Sequence, residues 1–419
     1  MPLDLDLVRK QFPALDRPVV YLDNPGGTQI CRQSLDGIQD YLVRCNANHG
    51  GAFATSRDSD AMVAHAREVM ADFLHAARPE EIIFGLNMTT LTFHISRSLG
   101  ATFAPGDLLA VTRLDHDGNI SPWLKVAEDR GLRVRWIDFH PEDGTLDLDD
   151  LQAALAEGPR LLAVGYASNA LGTINPIRQI TQWAHEAGAL VYVDAVQYAP
   201  HGPIDVQDLG CDFLVCSAYK FFGPHLGVLY GRYDLLDALP AYRVRPAPAE
   251  PPEKFETGTG SFESIAGLVG ALAYFEWLGQ TFGEEFVEQY AGEYSGRALT
   301  FKQAMAAVRS YEYELSRTLL DGLAGLPGVQ VYGLRDLRRL EERLPTVSFT
   351  MDGWHPQQLA ARLNESGIYV WDGNYYALAV TERLGLEERG GMVRVGPVHY
   401  NSCAEVEQLL DVLRQAVAA

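Results

Sequence analysis

The 419-residue sequence has few cysteines and no long hydrophobic run. Its five cysteines, Cys31, Cys45, Cys211, Cys216 and Cys403, form no Cys-x-x-Cys pair, which indicates neither a zinc knuckle nor a disulfide framework. No window is long and apolar enough for a membrane span, and the N-terminus lacks the apolar core of a signal peptide. We therefore expect a cytoplasmic protein with no membrane partner and no metal.

Positive charge is also scarce. Asp and Glu number 55 against 34 for Lys and Arg, which gives a formal net charge of −21, and the basic residues form no run. The electrostatic field of such a chain repels phosphate backbones and anionic membrane surfaces. We expect no nucleic-acid partner.

The short motifs of several enzyme classes are missing. The sequence has no Gly-x-x-x-x-Gly-Lys-Ser/Thr loop for a nucleoside triphosphate, and neither HExxH nor GxSxG occurs. The nearest approach to a dinucleotide fingerprint, GTGSFE at 258–263, lacks the third glycine. These absences exclude the usual zincin and serine-hydrolase interpretations and argue against a nicotinamide oxidoreductase.

Apolar stretches alternate with helical stretches from about residue 80 to residue 235. The predicted strands are EIIFG (81–85), DLLAVTRLDHD (107–117), RLLAVGYASN (160–169), ALVYVDAVQ (189–197) and DFLVCSAYK (212–220). Short apolar strands separated by helices are typical of a mainly parallel sheet covered on both faces. After a proline-rich loop at 244–261, we expect helices and a second α+β unit, with strands in TVSFTMDG, GIYVWDG and GMVRVGPVHY and a closing helix in AEVEQLLDVLRQAVA.

Polar residues collect where these strands end, at the edge where parallel sheets bind ligands. They are Asn87, Thr89, Thr90, Asp115, His116, Asn119, Ser168, Asn169, Asp194, Gln197, Ser217, Tyr219 and Lys220. Pyridoxal phosphate needs an amine for covalent attachment, a carboxylate for its pyridine nitrogen and donors for its phosphate. This set contains those groups, and Thr89 and Thr90 would open a helix whose N-terminus favours a dianion.

Lys220 is the most informative of these residues. Burying an ammonium between VCSAY and FFG costs several kcal/mol unless the group is paired or chemically used. The others have ordinary structural explanations when taken singly. Asp194 fits a helix cap or turn residue, His116 fits a turn histidine, and the paired threonines fit plain capping groups.

The ordered set of motifs resembles the class V, fold-type I pyridoxal-phosphate enzymes, and within them the cysteine desulfurase-like proteins. The resemblance runs through YLDNPGGTQ (21–29), MTT, DHDGNISPW, SNALGTINP, VDAVQ, SAYKFFGPHLGVLYG, FETGTGSFE and VRVGPVHYN (393–401), which is nearly the whole chain. It implies a large domain at 21–285, with a mainly parallel seven-stranded sheet between helices, and a smaller α+β C-terminal domain at 286–419. Residues 1–20 would pack on the small domain.

The resemblance also assigns cofactor contacts. Lys220 would form the Schiff base, Asp194 would pair with the pyridine nitrogen, and His116 would stack on the ring. The remaining contacts would be Asn169 and Gln197 to the ring hydroxyl, and Thr90, Ser217 and Tyr219 to the phosphate, although the family more often has histidine in place of Tyr219. Thr259 would reach the phosphate of the neighbouring subunit, which implies a homodimer.

The substrate side is assigned in the same way. Arg394 would bind the carboxylate of a small amino acid bidentately. We further expect the turn at 24–27, ending at Gly27, and the stretch at 49–60, beginning at His49, to line the mouth of the site, with Arg57 as a candidate second anion anchor. Arg57 could equally be a solvated arginine paired with Asp58 or Asp60.

One stretch departs from the family. Cysteine desulfurases carry a nucleophilic cysteine in a loop resembling RxGHHCA, and the corresponding stretch here is VWDGNYYA, 370–377. Tyr376 occupies the position of the cysteine, facing the substrate, and Trp371 occupies that of the arginine. A tyrosine hydroxyl with a pKa of about 10 cannot carry a persulfide. We therefore expect no persulfide relay.

These considerations predict a lyase that acts on a small L-amino acid through an external aldimine and releases a β-substituent: sulfur, sulfinate or carboxylate. The alternative within the class is an aminotransferase or an amino-acid epimerase. An alternative of another class is a non-catalytic dimeric scaffold that retains the fold. The retained Lys220 and Asp194 argue against the scaffold, which has no need of a buried amine opposite a carboxylate.

Overall fold

The strands and helices cover most of the chain. The computed structural model describes residues 3–417, so residues 1–2 of the predicted N-terminal segment and residues 418–419 of the predicted C-terminal domain lie outside the described residues. The strands are β1 (Val20–Tyr21), β2 (Ile82–Gly85), β3 (Leu108–Thr112), β4 (Arg133–Ile137), β5 (Leu161–Gly165), β6 (Leu190–Asp194), β7 (Phe213–Ser217), β8 (Gly227–Gly231), β9 (Val329–Tyr332), β10 (Val347–Met351), β11 (Ile368–Tyr369), β12 (Trp371–Gly373) and β13 (Met392–Val395). The helices are α1 (Leu5–Arg9), α2 (Arg32–Arg44), α3 (Ala54–Leu74), α4 (Met88–Gly100), α5 (Ser121–Arg130), α6 (Leu148–Ala156), α7 (Ile177–Glu186), α8 (Val206–Leu209), α9 (Tyr233–Ala238), α10 (Phe262–Phe282), α11 (Val287–Tyr290), α12 (Gly296–Ala324), α13 (Pro356–Glu365), α14 (Leu378–Arg383) and α15 (Cys403–Val417).

A seven-stranded sheet, in the order β2-β8-β7-β6-β5-β3-β4, forms the centre of the larger unit. β3 to β7 are parallel to one another, whereas β8 is antiparallel to both of its neighbours. The predicted mainly parallel α/β fold is confirmed, and each of the five predicted strands is present. β4 and β8 were not predicted; β4 is an edge strand whose arginines, Arg133 and Arg135, interrupt the apolar pattern.

Alternate residues of the central strands pack against helices on opposite faces of the sheet. In β5, Leu162 and Val164 join a core with α3, α7 and α10, whereas Leu161 and Ala163 join a core with α4 and α5. Because both faces are buried, these strands are continuously apolar in sequence. Their polar residues are therefore confined to the strand ends, where the candidate site lies.

A smaller unit contains an antiparallel sheet in the order β12-β13-β10-β9. The apolar faces of α13, α15 and the second half of α12 cover it. The first half of α12, including Phe301 and Met305, packs instead in the core of the larger unit. This helix joins the two cores, and the domain boundaries at residues 20 and 285 stay predictions.

The stretch GIYVWDG was predicted as one strand, but it forms two. β11 pairs with β1, and β12 pairs with β13 in the small sheet. The chain changes partners at Val370, so one apolar run serves two different pairings. Among the described residues, no helix combines the length and hydropathy needed to cross a membrane.

Helices α2 and α10 cross closely at glycines. A Cβ on Gly270 would lie 2.2 Å from the carbonyl oxygen of Gln33, and a Cβ on Gly37 would lie 2.7 Å from that of Ala266. Both obstacles are backbone atoms, so the helices would have to separate to admit a methyl group. The crossing holds α2, and with it the turn that precedes α2, against the larger unit.

Gly270→Ala should lower the free energy of unfolding by about 1–3 kcal/mol, because the added methyl overpacks this crossing. Gly292→Ala is the matched control, since Gly292 is exposed and a Cβ there meets no atom within 4 Å. Urea unfolding followed by circular dichroism compares the two variants. A Gly270→Ala midpoint equal to that of wild type would contradict the close crossing.

Candidate active site

Four parallel strands end at one edge of the sheet, and a predicted site residue lies at or beyond the end of each. Asp194 is the last residue of β6, and Lys220 lies in the 3₁₀ turn after β7. His116 follows β3 and Asn169 follows β5. Because these strands are neighbours in the order β7-β6-β5-β3, the structure gathers the four residues around one crevice.

The Lys220 amine is buried against the turn of residues 24–27. Its Nζ donates hydrogen bonds to the carbonyl oxygens of Pro25 and Gly26, the second at 3.0 Å. Burial and the charge of Arg394 lower the Lys220 pKa to about 7, although the charges of Asp23 and Asp194 oppose the shift. The neutral amine, which is the nucleophile, is therefore populated far closer to neutral pH than that of an exposed lysine.

Asp194 places a carboxylate near this amine. Its Oδ1 accepts a hydrogen bond from the backbone N–H of Val196 at 2.9 Å. Burial raises the Asp194 pKa to about 6, while the Val196 N–H and the Lys220 charge act to lower it. The group therefore remains mainly ionised at pH 7.

Asp115 is a second buried carboxylate; the sequence places it among the polar residues at the strand ends but gives it no specific role. Its Oδ1 accepts from Thr112 Oγ1 at 2.9 Å and from the Gly165 N–H at 2.7 Å, and its Oδ2 accepts from Asn119 Nδ2 at 2.7 Å. Burial, and then the charge of Asp194, raise the Asp115 pKa to about 7. These bonds join the ends of β3 and β5 and fix the turn that carries His116.

His116 is neutral and is fixed in a single tautomer. Its Nδ1 accepts a hydrogen bond from the Gly118 N–H at 2.9 Å, which assigns the ring proton to Nε2. Burial, with the charges of Lys220 and Arg394, lowers the His116 pKa to about 4. The ring of Tyr376 stacks against it, with centroids 5.7 Å apart and an interplanar angle of 28°. His116 is thus an uncharged aromatic surface at neutral pH.

The two amides predicted to bind the ring hydroxyl are both oriented by the smaller unit. Asn169 Nδ2 donates to the carbonyl oxygen of Tyr375 at 2.9 Å, and Gln197 Nε2 donates to Thr346 Oγ1 at 3.0 Å. Asn169 Oδ1 is buried and has no hydrogen-bond partner among residues 3–417. A ligand hydroxyl in the crevice would satisfy it.

The structure places the five residues predicted to bind the phosphate in different surroundings. Ser217 Oγ accepts from the Met88 N–H at 3.2 Å, at the N-terminus of α4, and Thr89 Oγ1 lies beside His116 near Gly118. Thr90 is exposed, and its hydroxyl donates to the helix cap Asn87 at 3.0 Å. The remaining two are Tyr219, whose ring stacks on His225 at 4.8 Å, and Thr259, which is exposed and makes no hydrogen bond within the described part of the chain.

Arg394, in β13, is clamped from three sides. Its Nη1 donates to the Asn169 carbonyl oxygen at 3.1 Å, and its Nη2 donates to Asp23 Oδ1 at 3.2 Å. Its guanidinium carbon lies 4.4 Å from the ring centroid of Tyr375. Its Nε is buried without a partner in the described range, so this N–H remains for a carboxylate.

Asp23 and Tyr375 were missed by sequence reasoning. Asp23 belongs to the stretch YLDNPGGTQ, where its place between an apolar strand and a turn was an available signal. The sequence around Tyr375 contains no comparable signal, because in VWDGNYYA only the adjacent Tyr376 corresponds to the cysteine of the desulfurases.

The predicted mouth residues are not all brought together. Gly27 adjoins the site, because a Cβ there would lie 3.3 Å from the Tyr219 ring. His49 and Arg57 are exposed, and within residues 3–417 no hydrogen bond or ion pair joins either to Lys220 or Arg394. Arg57 Nη1 donates to the Ala52 carbonyl oxygen at 2.6 Å, which differs from the suggested pairing with Asp58 or Asp60.

Comparison with known proteins identifies the family. The family model for class-V aminotransferases matches residues 20–300 and 295–409. The chain belongs to the class-V aminotransferase family. This confirms the family that the sequence motifs suggested.

Individual relatives align along nearly the whole chain. A probable cysteine desulfurase of Streptomyces coelicolor is 32% identical over 437 aligned positions, which cover 98% of this chain and 96% of the relative. An aminotransferase-like protein of Gibberella zeae is 33% identical over 425 positions, covering 99% and 98%. The apo structure of a cysteine desulfurase from Thermococcus onnurineus is similar with a TM-score of 0.87 at 29% identity, covering 100% of both chains.

Class-V aminotransferases use pyridoxal phosphate, and the residues of this member fit that cofactor. The partnerless Asn169 Oδ1 suits its ring hydroxyl, and the N-terminus of α4 with Ser217 suits its phosphate. Lys220 would hold it covalently, and the ionised Asp194 would pair with its pyridine nitrogen. The chain is a pyridoxal-phosphate-dependent enzyme.

The rate at which pyridoxal phosphate attaches to the cofactor-free protein should rise between pH 6 and 8 and then level off. The Lys220 pKa is about 7, so the neutral fraction of the amine falls roughly ten-fold per pH unit below that value. Growth of the visible absorption band measures the rate, with free Nα-acetyl-lysine as the reference amine. A rate that climbs to pH 10, as for the free amine, would show that the site does not depress the pKa.

Proposed function

We propose that the chain is a cysteine desulfurase-like lyase that releases a β-substituent (sulfur, sulfinate or carboxylate) from a small L-amino acid. The observation that carries this proposal is the Lys220 amine, buried against Pro25 and Gly26 with its pKa lowered to about 7. A scaffold would have no use for such a group. The relatives named as cysteine desulfurases support a cysteine-type substrate.

Bound pyridoxal phosphate supplies an electron sink that weakens the bonds at Cα of an amino acid. Lys220 would serve as the base that moves the Cα proton, since a pKa of about 7 suits an amine that accepts and returns protons near neutral pH. Asp194 would hold a proton on the pyridine nitrogen. His116 would stay uncharged beside the ring, with its proton on Nε2.

Arg394 would select the substrate through its carboxylate. Each terminal nitrogen of the guanidinium has two N–H groups, so the bonds to Asn169 and Asp23 leave donors beside the free Nε–H. A carboxylate could therefore be bound by two parallel hydrogen bonds without breaking the clamp. Segment 374–377 closes this side of the crevice, because the Tyr376 carbonyl oxygen accepts from the Asp117 N–H at 2.6 Å.

No cysteine is placed to carry a persulfide. Cys31, Cys211 and Cys216 are buried, and burial raises the pKa of each thiol, that of Cys31 to about 12. Cys403 is exposed at the start of α15, with its Sγ near Thr318, and Cys45 follows α2. We infer that the substituent leaves directly, without a covalent stop on the protein. A thiol would depart as sulfide with the electrons of the C–S bond, leaving pyruvate and ammonia after hydrolysis. A sulfinate or carboxylate would depart as sulfur dioxide or carbon dioxide, and the electrons left behind, with a proton, would give alanine.

The proposal includes a homodimer and a cytoplasmic location. Thr259 would reach the phosphate of the neighbouring subunit, and this role would explain why its hydroxyl is exposed within one chain. The five free cysteines agree with a reducing compartment.

Lys220→Ala should abolish the visible absorption that borohydride fixes to the wild-type protein, because the covalent attachment point is lost. Lys254→Ala is the matched control: Lys254 is also buried and bonded to backbone carbonyls, those of Asp237 and Leu239, but it lies outside the crevice. Absorption spectra before and after borohydride make the comparison. A borohydride-fixable band in Lys220→Ala would defeat the assignment.

The same wild-type preparation tests the reaction. Incubation with L-alanine, L-aspartate, L-cysteine and L-cysteine sulfinate should give pyruvate or alanine plus the released substituent from at least one β-substituted amino acid. Keto-acid formation with transfer of the amino group would instead identify an aminotransferase. A protein that binds the cofactor yet turns over none of the four would argue for the scaffold.

The double variant Cys45→Ser with Cys403→Ser should keep turnover within about two-fold of wild type, because neither thiol lies in the crevice. The three buried cysteines stay in place so that the core is not disturbed. Release of sulfide or sulfite, measured with the substrate found above, is the readout. Loss of release with an unchanged unfolding midpoint would demonstrate a thiol relay.

A further inference from the structure

The side chain of Tyr375 is fixed against Arg394. Tyr375 is 6% exposed, and its ring centroid lies 4.4 Å from the guanidinium carbon of Arg394. At the far end of the ring, the hydroxyl donates a hydrogen bond to the Met392 carbonyl oxygen. The ring is therefore held at both its face and its edge, directly under the cation.

The backbone of Tyr375 contacts the cofactor side of the crevice. Its carbonyl oxygen accepts from Asn169 Nδ2 at 2.9 Å, and the Asn169 carbonyl oxygen accepts from Arg394 Nη1 at 3.1 Å. Tyr375, Asn169 and Arg394 thus form a closed circle of three contacts. This circle connects the residue predicted to bind the substrate carboxylate with one predicted to bind the cofactor.

The local backbone is in an uncommon conformation. Tyr375 and Tyr376 have φ values of +56° and +58°, in the left-handed region that bulky residues rarely adopt. The hydrogen bonds from Asn169 and from the Asp117 N–H hold the two residues there. Backbone strain of this kind persists where the surroundings fix the geometry, as they do around this ring.

Arg394 needs such a support. Asp23 and the Asn169 carbonyl each engage one terminal nitrogen, while the Nε has no partner among the described residues. An aromatic ring under the guanidinium attracts it electrostatically, and the attraction is strongest where water is excluded. The Tyr375 ring therefore keeps the Nε–H directed away from the protein's own acceptors and available to a ligand.

We propose that Tyr375 is a positioning residue, which holds Arg394 ready for the substrate carboxylate through its ring and Asn169 ready for the cofactor through its carbonyl. The proposal rests on the proposed function, in which Arg394 binds an amino-acid carboxylate. It makes the aromatic ring at position 375, rather than the tyrosine hydroxyl, the feature on which carboxylate recognition depends.

The test compares two ligands of the holoenzyme, L-alanine and L-alaninamide, which differ only in the carboxylate. Dissociation constants come from the change in visible absorption during titration. Tyr375→Leu should weaken L-alanine about ten-fold while changing L-alaninamide less than two-fold. Tyr375→Phe, which keeps the ring, should bind both ligands within about three-fold of wild type.

A fluorinated ring separates loss of the attraction between ring and cation from loss of folding. Phenylalanine and 3,4,5-trifluorophenylalanine at position 375 have nearly the same shape, but fluorine withdraws charge from the ring face and weakens its attraction for a cation. L-Alanine binding should be several-fold weaker for the fluorinated protein at an unchanged unfolding midpoint. Equal affinities for the two proteins, or equal losses for L-alanine and L-alaninamide, would overturn the positioning role.

Arg394→Leu separates this proposal from the proposed function. If Arg394→Leu fails to weaken L-alanine relative to L-alaninamide, the carboxylate site itself is wrong. If Arg394→Leu weakens L-alanine selectively but Tyr375→Leu and the fluorinated ring do not, the carboxylate site stands and Tyr375 has no part in ordering it.

Discussion

The buried amine of Lys220 is the group around which the candidate site is organised. An amine taken out of water loses solvation of its charged form, so its pKa falls to about 7. The polar groups that compensate come from distant parts of the chain: the carbonyls of Pro25 and Gly26 from the N-terminal turn, and the carboxylate of Asp194 from the end of β6. A reactive lysine at this position therefore requires the complete sheet and the N-terminal turn to be folded.

The Lys220 pKa also depends on a charged residue of the smaller unit. Arg394 lowers the Lys220 pKa, and Asp23, which bonds Arg394 at 3.2 Å, opposes that effect. Asp23 thus lies between two cations, one from each unit. On the other side, Asp194 helps to raise the pKa of Asp115 to about 7, so a proton on Asp115 makes the ionised Asp194 less costly. The turn that fixes His116 and the carboxylate of Asp194 are coupled electrostatically.

Local signals predicted much of this arrangement. Doubly buried strands are continuously apolar, and their polar ends include Lys220, Asp194 and His116, whose roles were then assigned from the resemblance to a family. What sequence reasoning missed depends on contacts between distant residues: Asp23 and Arg394 are 371 positions apart, and Asn169 and Tyr375 are 206 apart. The division of GIYVWDG into two strands was missed for the same reason, because each half pairs with a different remote strand. The roles of the site residues and the domain boundaries remain predictions, the latter because α12 belongs to both cores.

Segment 374–377 differs from the cysteine loop of desulfurases in two ways: it has no nucleophilic cysteine, and it is fixed in place by contacts with the rest of the site. A persulfide carrier has to approach the substrate and then withdraw to deliver sulfur, which requires a loop that moves. Here the carbonyl oxygens of Tyr375 and Tyr376 accept hydrogen bonds from Asn169 and Asp117, and the two rings pack on Arg394 and His116. Every one of these contacts would have to break for the segment to withdraw. Under the proposed function, the segment that carries sulfur in a desulfurase forms a wall of the crevice in this protein.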